Sequence, residues 1–261
     1  MEEISLLVSF EAKGFIFFLT IANPPLNVLS DALLSEMDES VNEILAKPDC
    51  RVLVVTGAGE KAFVAGADIN QFLNLDAADG ARLVEKGKKI FDKISNASFP
   101  VICAISGLAL GGGLELALAC DIRIAEQKAK LGFPETGLAI LPGYGGTQRL
   151  TKLIGPGRAK EMIFTGIVLS GNQAYDWGVV ERVVPNGESL NKAKILAEQI
   201  ASKGPLAIAK AKQAINQGLD RTIAEGQELE TQYFAELCET EDMLEGAKAF
   251  REKRVPLYYG R

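Results

Sequence analysis

Two carboxylates stand in surroundings that seldom hold one. Glu115 lies in GLALGGGLELALACD (107–121), flanked by Leu114, Leu116, Ala117 and Leu118. A carboxylate in so apolar a stretch is expensive to bury unless it is paired or used. Three glycines, Gly111 to Gly113, precede it by one residue, between a strand-like run and a helix-like one. Consecutive glycines let the backbone approach a ligand and leave amides free. A helix N-terminus adds positive partial charge, so the segment suits an oxyanion. Glu135 lies between Pro134 and Thr136 in KLGFPETGLAILPGYGGTQRL (130–150), on a loop rather than in mid-helix. An exposed loop is the commonest place for a glutamate, and Glu135 alone would carry little weight. The small residues Val64-Ala65-Gly66-Ala67 in KAFVAGADI (61–69) allow another close backbone approach.

The chain contains no histidine. That excludes Ser-His-Asp and Cys-His catalysis and every His-ligated metal site. Proton transfer at neutral pH then falls to carboxylates, lysine, tyrosine or cysteine. Cys50, Cys103, Cys120 and Cys238 are scattered without C-x-x-C spacing and read as reduced thiols of a cytoplasmic protein. The net charge of −6 argues against a nucleic-acid partner, which needs clustered Lys and Arg. No apolar run approaches the length of a membrane span, and MEEISLLVSF lacks the basic start of a secretory signal.

The elements that must position these residues follow from hydrophobic periodicity. ISLLVSF and GFIFFLTIA predict a hairpin over 4–22, turning at Glu11-Ala12-Lys13-Gly14. Helical spacing of Leu33, Leu34, Met37, Val41, Ile44 and Leu45 predicts a helix from about Ser30, its N-cap. RVLVVTG (51–57) and FPVICAIS (99–106) read as buried strands, with an amphipathic helix over 80–96 between them. DIRIAE, AKLGF and VVERVVP read as further strands, and TQRLTKLIG and GRAKEMIFTG as helices closed by glycine. From about residue 188 four helical patterns follow with no strand between them. Thr222 and Glu225 form a capping-box signature there. The chain divides into an α/β core over 1–195 and a helical C-terminal region over 196–261, with a hinge expected at Lys203-Gly204-Pro205. The run Gly57-Ala58-Gly59-Glu60-Lys61-Ala62 mimics a dinucleotide fingerprint. Such a site needs a helix to open at once, and FVAGAD has no helical periodicity.

FVAGADI, ISGLALGGGLELALACDIRIA and AKLGFPETGLAILPGYGGTQRL, in this order, resemble the crotonase superfamily. NPPLNVLS and LSGNQAYDWGVVERVVP match as well, so the resemblance covers essentially the whole chain. The GGG-x-E run with a second glutamate twenty residues on is the specific part; a lone GAD or GG is not. The resemblance implies an α/β fold, a spiral of ββα turns, with a helical C-terminal region that builds homotrimers, often paired into hexamers as dimers of trimers. It implies an acyl-CoA thioester substrate, with CoA part of the substrate and no separate cofactor or metal. The backbone N–H groups of Ala67 and Gly112 would hold the thioester oxygen as it becomes an enolate. Glu115 would activate water and Glu135 protonate C2, the pairing of a hydratase. A single glutamate at the position of Glu135 would suit an isomerase instead. Leu26, Lys61, Ala65, Asp68, Ile69, Phe234 and Lys253 match substrate- or CoA-binding positions. Asn70 departs from the lysine often found there.

Overall fold

The computed structural model describes residues 6–73 and 75–261. Ile4 and Ser5 of the expected hairpin lie outside that range. Strands β1 (Val8–Lys13) and β2 (Ile16–Ile21) pair antiparallel with Lys13 opposite Ile16. The turn is therefore Gly14-Phe15, later than the sequence pattern suggests. Gly14 takes the left-handed conformation that a two-residue hairpin turn requires, which lets the strand run on through Lys13. Helix α1 (Asp31–Leu45) begins at Ser30, whose side chain accepts from the Leu33 N–H.

Three successive turns of the chain then repeat one plan. The first is β3 (Val52–Gly57), β4 (Ala62–Val64) and α2 (Ala77–Ser95). The second is β5 (Val101–Ile105), β6 (Leu108–Leu110) and α3 (Gly112–Ala119). The third is β7 (Ile122–Glu126), β8 (Lys130–Gly132) and α4 (Gly146–Ile154). Each turn lays its first strand into a large sheet and its second into a small one, both parallel to the previous turn. The chain winds as a spiral of ββα units, the fold class expected. Because β3 is followed by β4 and not by a helix, the dinucleotide reading of residues 57–62 is excluded.

Helix α5 (Pro156–Thr165) leads to β9 (Val168–Ser170), which closes the small sheet in the order β4-β6-β8-β9. Helix α6 (Gly171–Trp177) leads to β10 (Arg182–Val184), which closes the large sheet in the order β1-β2-β3-β5-β7-β10. Four helices follow: α7 (Ser189–Ala201), α8 (Pro205–Gly218), α9 (Ile223–Cys238) and α10 (Glu241–Glu252). Thr222 and Glu225 form the reciprocal capping box at the start of α9.

The central strands are buried on both faces, as parallel strands are when each face is covered. One face packs on α7 through Val52, Val54, Ile102, Ala104, Ala193 and Leu196. The division at 195/196 thus falls inside a helix that covers the large sheet. The other face forms the larger core with α1, α2 and α3. All eight residues of α3 are buried, so this helix threads the interior. Helix α8 is anchored by buried Lys212, whose ammonium donates to the Phe99 carbonyl (3.0 Å) and to Asp121 Oδ2 (2.8 Å). No helix among the described residues is long and apolar enough to cross a membrane.

Candidate functional site

The ends of the small-sheet strands and the helices that follow them surround a cavity of about 490 Å³. Its wall includes Ala65, Gly66, Ala67 and Ile69 after β4, Gly111, Gly112 and Glu115 at the start of α3, and Pro134 and Glu135 after β8. Three loops distant in sequence meet there because each follows a strand of the same sheet. Helix α2 and the segment before α4 close the remaining sides.

The amides of Ala67 and Gly112 on this wall have no acceptor among the described residues. Leu29 bridges Ala67 in parallel fashion, taking the Asp68 N–H on its carbonyl (3.2 Å) and giving its own N–H to the Gly66 carbonyl (2.8 Å). That pattern turns the Ala67 N–H away from Leu29. Gly112 is the first residue of α3, where N–H groups have no partner within the helix. Two nearby amides are used: Gly111 donates to the Gly132 carbonyl (2.9 Å) and Glu115 to the Gly111 carbonyl (3.0 Å). Two free donors, one at a helix N-terminus, are suited to an oxygen that gains negative charge.

Glu115 is 1% exposed. Its Oε1 accepts the Gly146 N–H at 2.7 Å, at the N-terminus of α4. Its carboxyl is pushed up to about 8, chiefly by burial and also by the charge of Glu135, against the pull of the Gly146 and Tyr144 amides and the Arg149 guanidinium. Glu135 opens a short 3-10 turn (Glu135–Leu138) and is half-buried, not the exposed loop residue its sequence context favours. Burial pushes its carboxyl up to about 7 against the pull of its own backbone N–H. Its Oε2 is fully covered and accepts no hydrogen bond from the described residues. The two groups therefore titrate as a pair, holding one proton between them near neutral pH.

Glycines fix both carboxylates. A Cβ on Gly111, which has φ +50°, would lie 2.6 Å from Glu135 Oε1. One on Gly146 would lie 2.9 Å from Glu115 Oε1. Neither position accepts a side chain without moving a glutamate. Tyr144 packs edge-on against Phe91 and forms part of the cavity wall. Arg149 holds the turn before α4 by donating to the Tyr144 carbonyl (2.8 Å) and to Asp92 Oδ1 (2.5 Å).

A family model described as enoyl-CoA hydratase/isomerase matches residues 11–261. The chain belongs to the enoyl-CoA hydratase/isomerase family. It is 42% identical over 248 residues to a short-chain-enoyl-CoA hydratase of Clostridium acetobutylicum, covering 95% of each chain. A crotonyl-CoA hydratase of Syntrophomonas wolfei is 43% identical over 229 residues, 88% of each chain. The crystal structure of an enoyl-CoA hydratase from Bacillus anthracis superposes with a TM-score of 0.95 at 43% identity, covering 98% of this chain and 100% of that one.

Of the residues singled out from sequence, Ala65, Ala67, Ile69, Gly112, Glu115 and Glu135 share the cavity of this family member. Leu26 supports it from behind, its carbonyl accepting the Ala65 N–H (3.1 Å). The Asp68 carboxylate caps the next turn, accepting from the Asn70 N–H (3.0 Å) and side-chain amide (2.9 Å). Lys61 is exposed just before β4. Phe234 lines a separate cavity among α8, α9, α10 and the C-terminal tail, and Lys253 caps α10 in left-handed conformation. Within one protomer neither lines the cavity that holds the glutamates. Sequence reasoning missed Tyr144 and Gly146. Their signal was the glycine pair opening a helix in PGYGGTQRL, an anion-holding end in need of an anion.

Proposed function

We propose that this chain is an enoyl-CoA hydratase, adding water reversibly and syn to a trans-2-enoyl-CoA to give a 3-hydroxyacyl-CoA. The observation that carries the reading is the pair of glutamates with raised pKa values in one cavity with two unpaired amides. The thioester oxygen accepts from the Ala67 and Gly112 N–H groups. Water bonds to C3 and gives a proton to Glu115, while the electrons of the double bond shift to the thioester as an enolate. Glu135 then returns a proton to C2, so one water is added and the pair ends with its single proton exchanged. Burial leaves the pair's proton on Glu115 at rest, and the Gly146 amide and the end of α4 lower the cost of moving it to Glu135, which gives the reactive form with Glu115 as base. The free Oε2 of Glu135 suits a donor facing substrate. No step calls for a cofactor or metal.

An isomerase needs one carboxylate to move a proton between C2 and C4. The buried Glu115, held by the Gly146 amide, would be idle in that reaction, which favours hydration. Lys61, exposed just before β4, takes a CoA phosphate in this reading, and Lys253, which does not line its own protomer's cavity, does so from a neighbouring protomer. Phe234 and Phe250, 72% and 87% exposed on the C-terminal helices, support a homotrimer or a hexamer of two trimers. The test is loss of the conjugated enoyl-thioester absorbance with purified protein and crotonyl-CoA. Turnover that falls about 10²–10⁴-fold in Glu135→Gln, with CoA-ester binding kept, supports the reading. Absence of turnover in the wild type rejects it.

A further inference from the structure

The cavity that holds the glutamates also has an apolar side. Phe72, Leu83, Val84, Leu138, Ile140 and Leu141 line it, and no lysine or arginine among the described residues does. A charged acyl tail would find no counter-ion there and would add to the negative charge of the glutamates. The tail this wall fits is a hydrocarbon.

Helix α2 presents Gly80, Leu83 and Val84 to this wall, the i, i+3, i+4 set of one helical face. Two other glycines nearby are explained by packing. A Cβ at Gly87 would lie 2.6 Å from the Tyr144 ring, and one at Gly143 would lie 2.9 Å from Val84 Cγ2. At Gly80 a Cβ would meet nothing within 4 Å. Glycine is disfavoured in a helix, and no close packing accounts for this one. Its effect is to leave space along the cavity face of α2. The wall that this space adjoins is the apolar one of Phe72, Leu83, Val84, Leu138, Ile140 and Leu141.

We propose that Gly80 sets acyl-chain reach, keeping the passage beside α2 open to uncharged chains well beyond four carbons. This rests on the hydratase reading and specifies its substrate class. The test is kcat/KM on trans-2-enoyl-CoAs of four, eight and twelve carbons, for wild type, Gly80→Ala and Gly80→Leu. Wild type is expected to use the eight-carbon substrate at least as well as the four-carbon one. Each methylene denied burial is worth about fourfold. Gly80→Leu should therefore lose about tenfold or more on eight and twelve carbons, and stay within about twofold on four. Gly80→Ala should show the same order with smaller losses, and it serves if the leucine variant does not fold. A wild type that prefers four carbons over eight by about tenfold would overturn the proposal. Equal losses at every length in a folded variant would overturn it too. No turnover at any length would overturn the hydratase reading itself, and the proposal with it.

Discussion

Replacing Glu115 by glutamine should stabilise the protein while disabling it, and the stabilisation should grow with pH. The Glu115 carboxyl is 1% exposed and keeps its proton up to about pH 8 in the folded chain, against an ordinary value of 4.5. Between those values the unfolded chain has lost this proton and the folded chain retains it. Stability therefore falls as pH rises, by about 1.4 kcal/mol per pH unit, until the folded group also ionises. Glutamine has the same shape, can accept the Gly146 N–H through its Oε1, and does not titrate. From pH 5.5 to 8 the advantage of Glu115→Gln over wild type should grow by about 3 kcal/mol. At about 2–4 °C per kcal/mol, the gap in Tm widens by about 6–12 °C. Thermal unfolding followed by circular dichroism at several pH values reads this directly, with hydration rates on the same samples. The variant should lose about 10²–10⁴-fold in kcat, a gain in stability bought with function. A Tm gap that stays constant from pH 5.5 to 8 would refute the argument that Glu115 is held protonated by burial.

The pH profile of kcat/KM should be bell-shaped. Its acid limb, near about 7, is where the pair loses its first proton and gains a base; its alkaline limb, near about 8, is where it loses the second and with it the acid. A profile flat from about pH 6 to 9 would remove the shared proton from the mechanism. The double variant Glu115→Gln/Glu135→Gln should be less impaired than the product of the singles, because both carboxyls serve one water; strictly multiplicative losses would mean that they act apart. Lys253→Ala should raise KM for CoA esters and leave short thioesters without the nucleotide nearly unchanged, and a uniform rise would place Lys253 in folding instead. Light scattering at micromolar concentration should report a trimer or hexamer, and a stable monomer would contradict the assembly.

Much of this was legible in sequence where residues report on their own surroundings. The continuous apolar runs of β3 and β5 and the 3.6-residue spacing of α1 and α2 mark their elements, and the apolar neighbours of Glu115 declare a buried carboxylate. The small sheet was harder to see. Its strands β4, β6 and β9 are three residues long, too short for alternation to register, and they are defined by pairing across large sequence distances. Glu135 looked ordinary for a similar reason: what covers it is Gly111, on a different turn of the spiral. Gly146 shows its purpose only against Glu115, 31 residues away.

The central claim is that the two glutamates add water across a conjugated thioester. Incubation of the purified protein with a trans-2-enoyl-CoA in ¹⁸O-labelled water, followed by mass spectrometry of the product, tests it most directly. The account predicts a product heavier by one labelled water, with the label on C3 and formation suppressed in Glu135→Gln. A product of unchanged mass with its double bond moved, or a labelled product formed equally fast by Glu135→Gln, would contradict it.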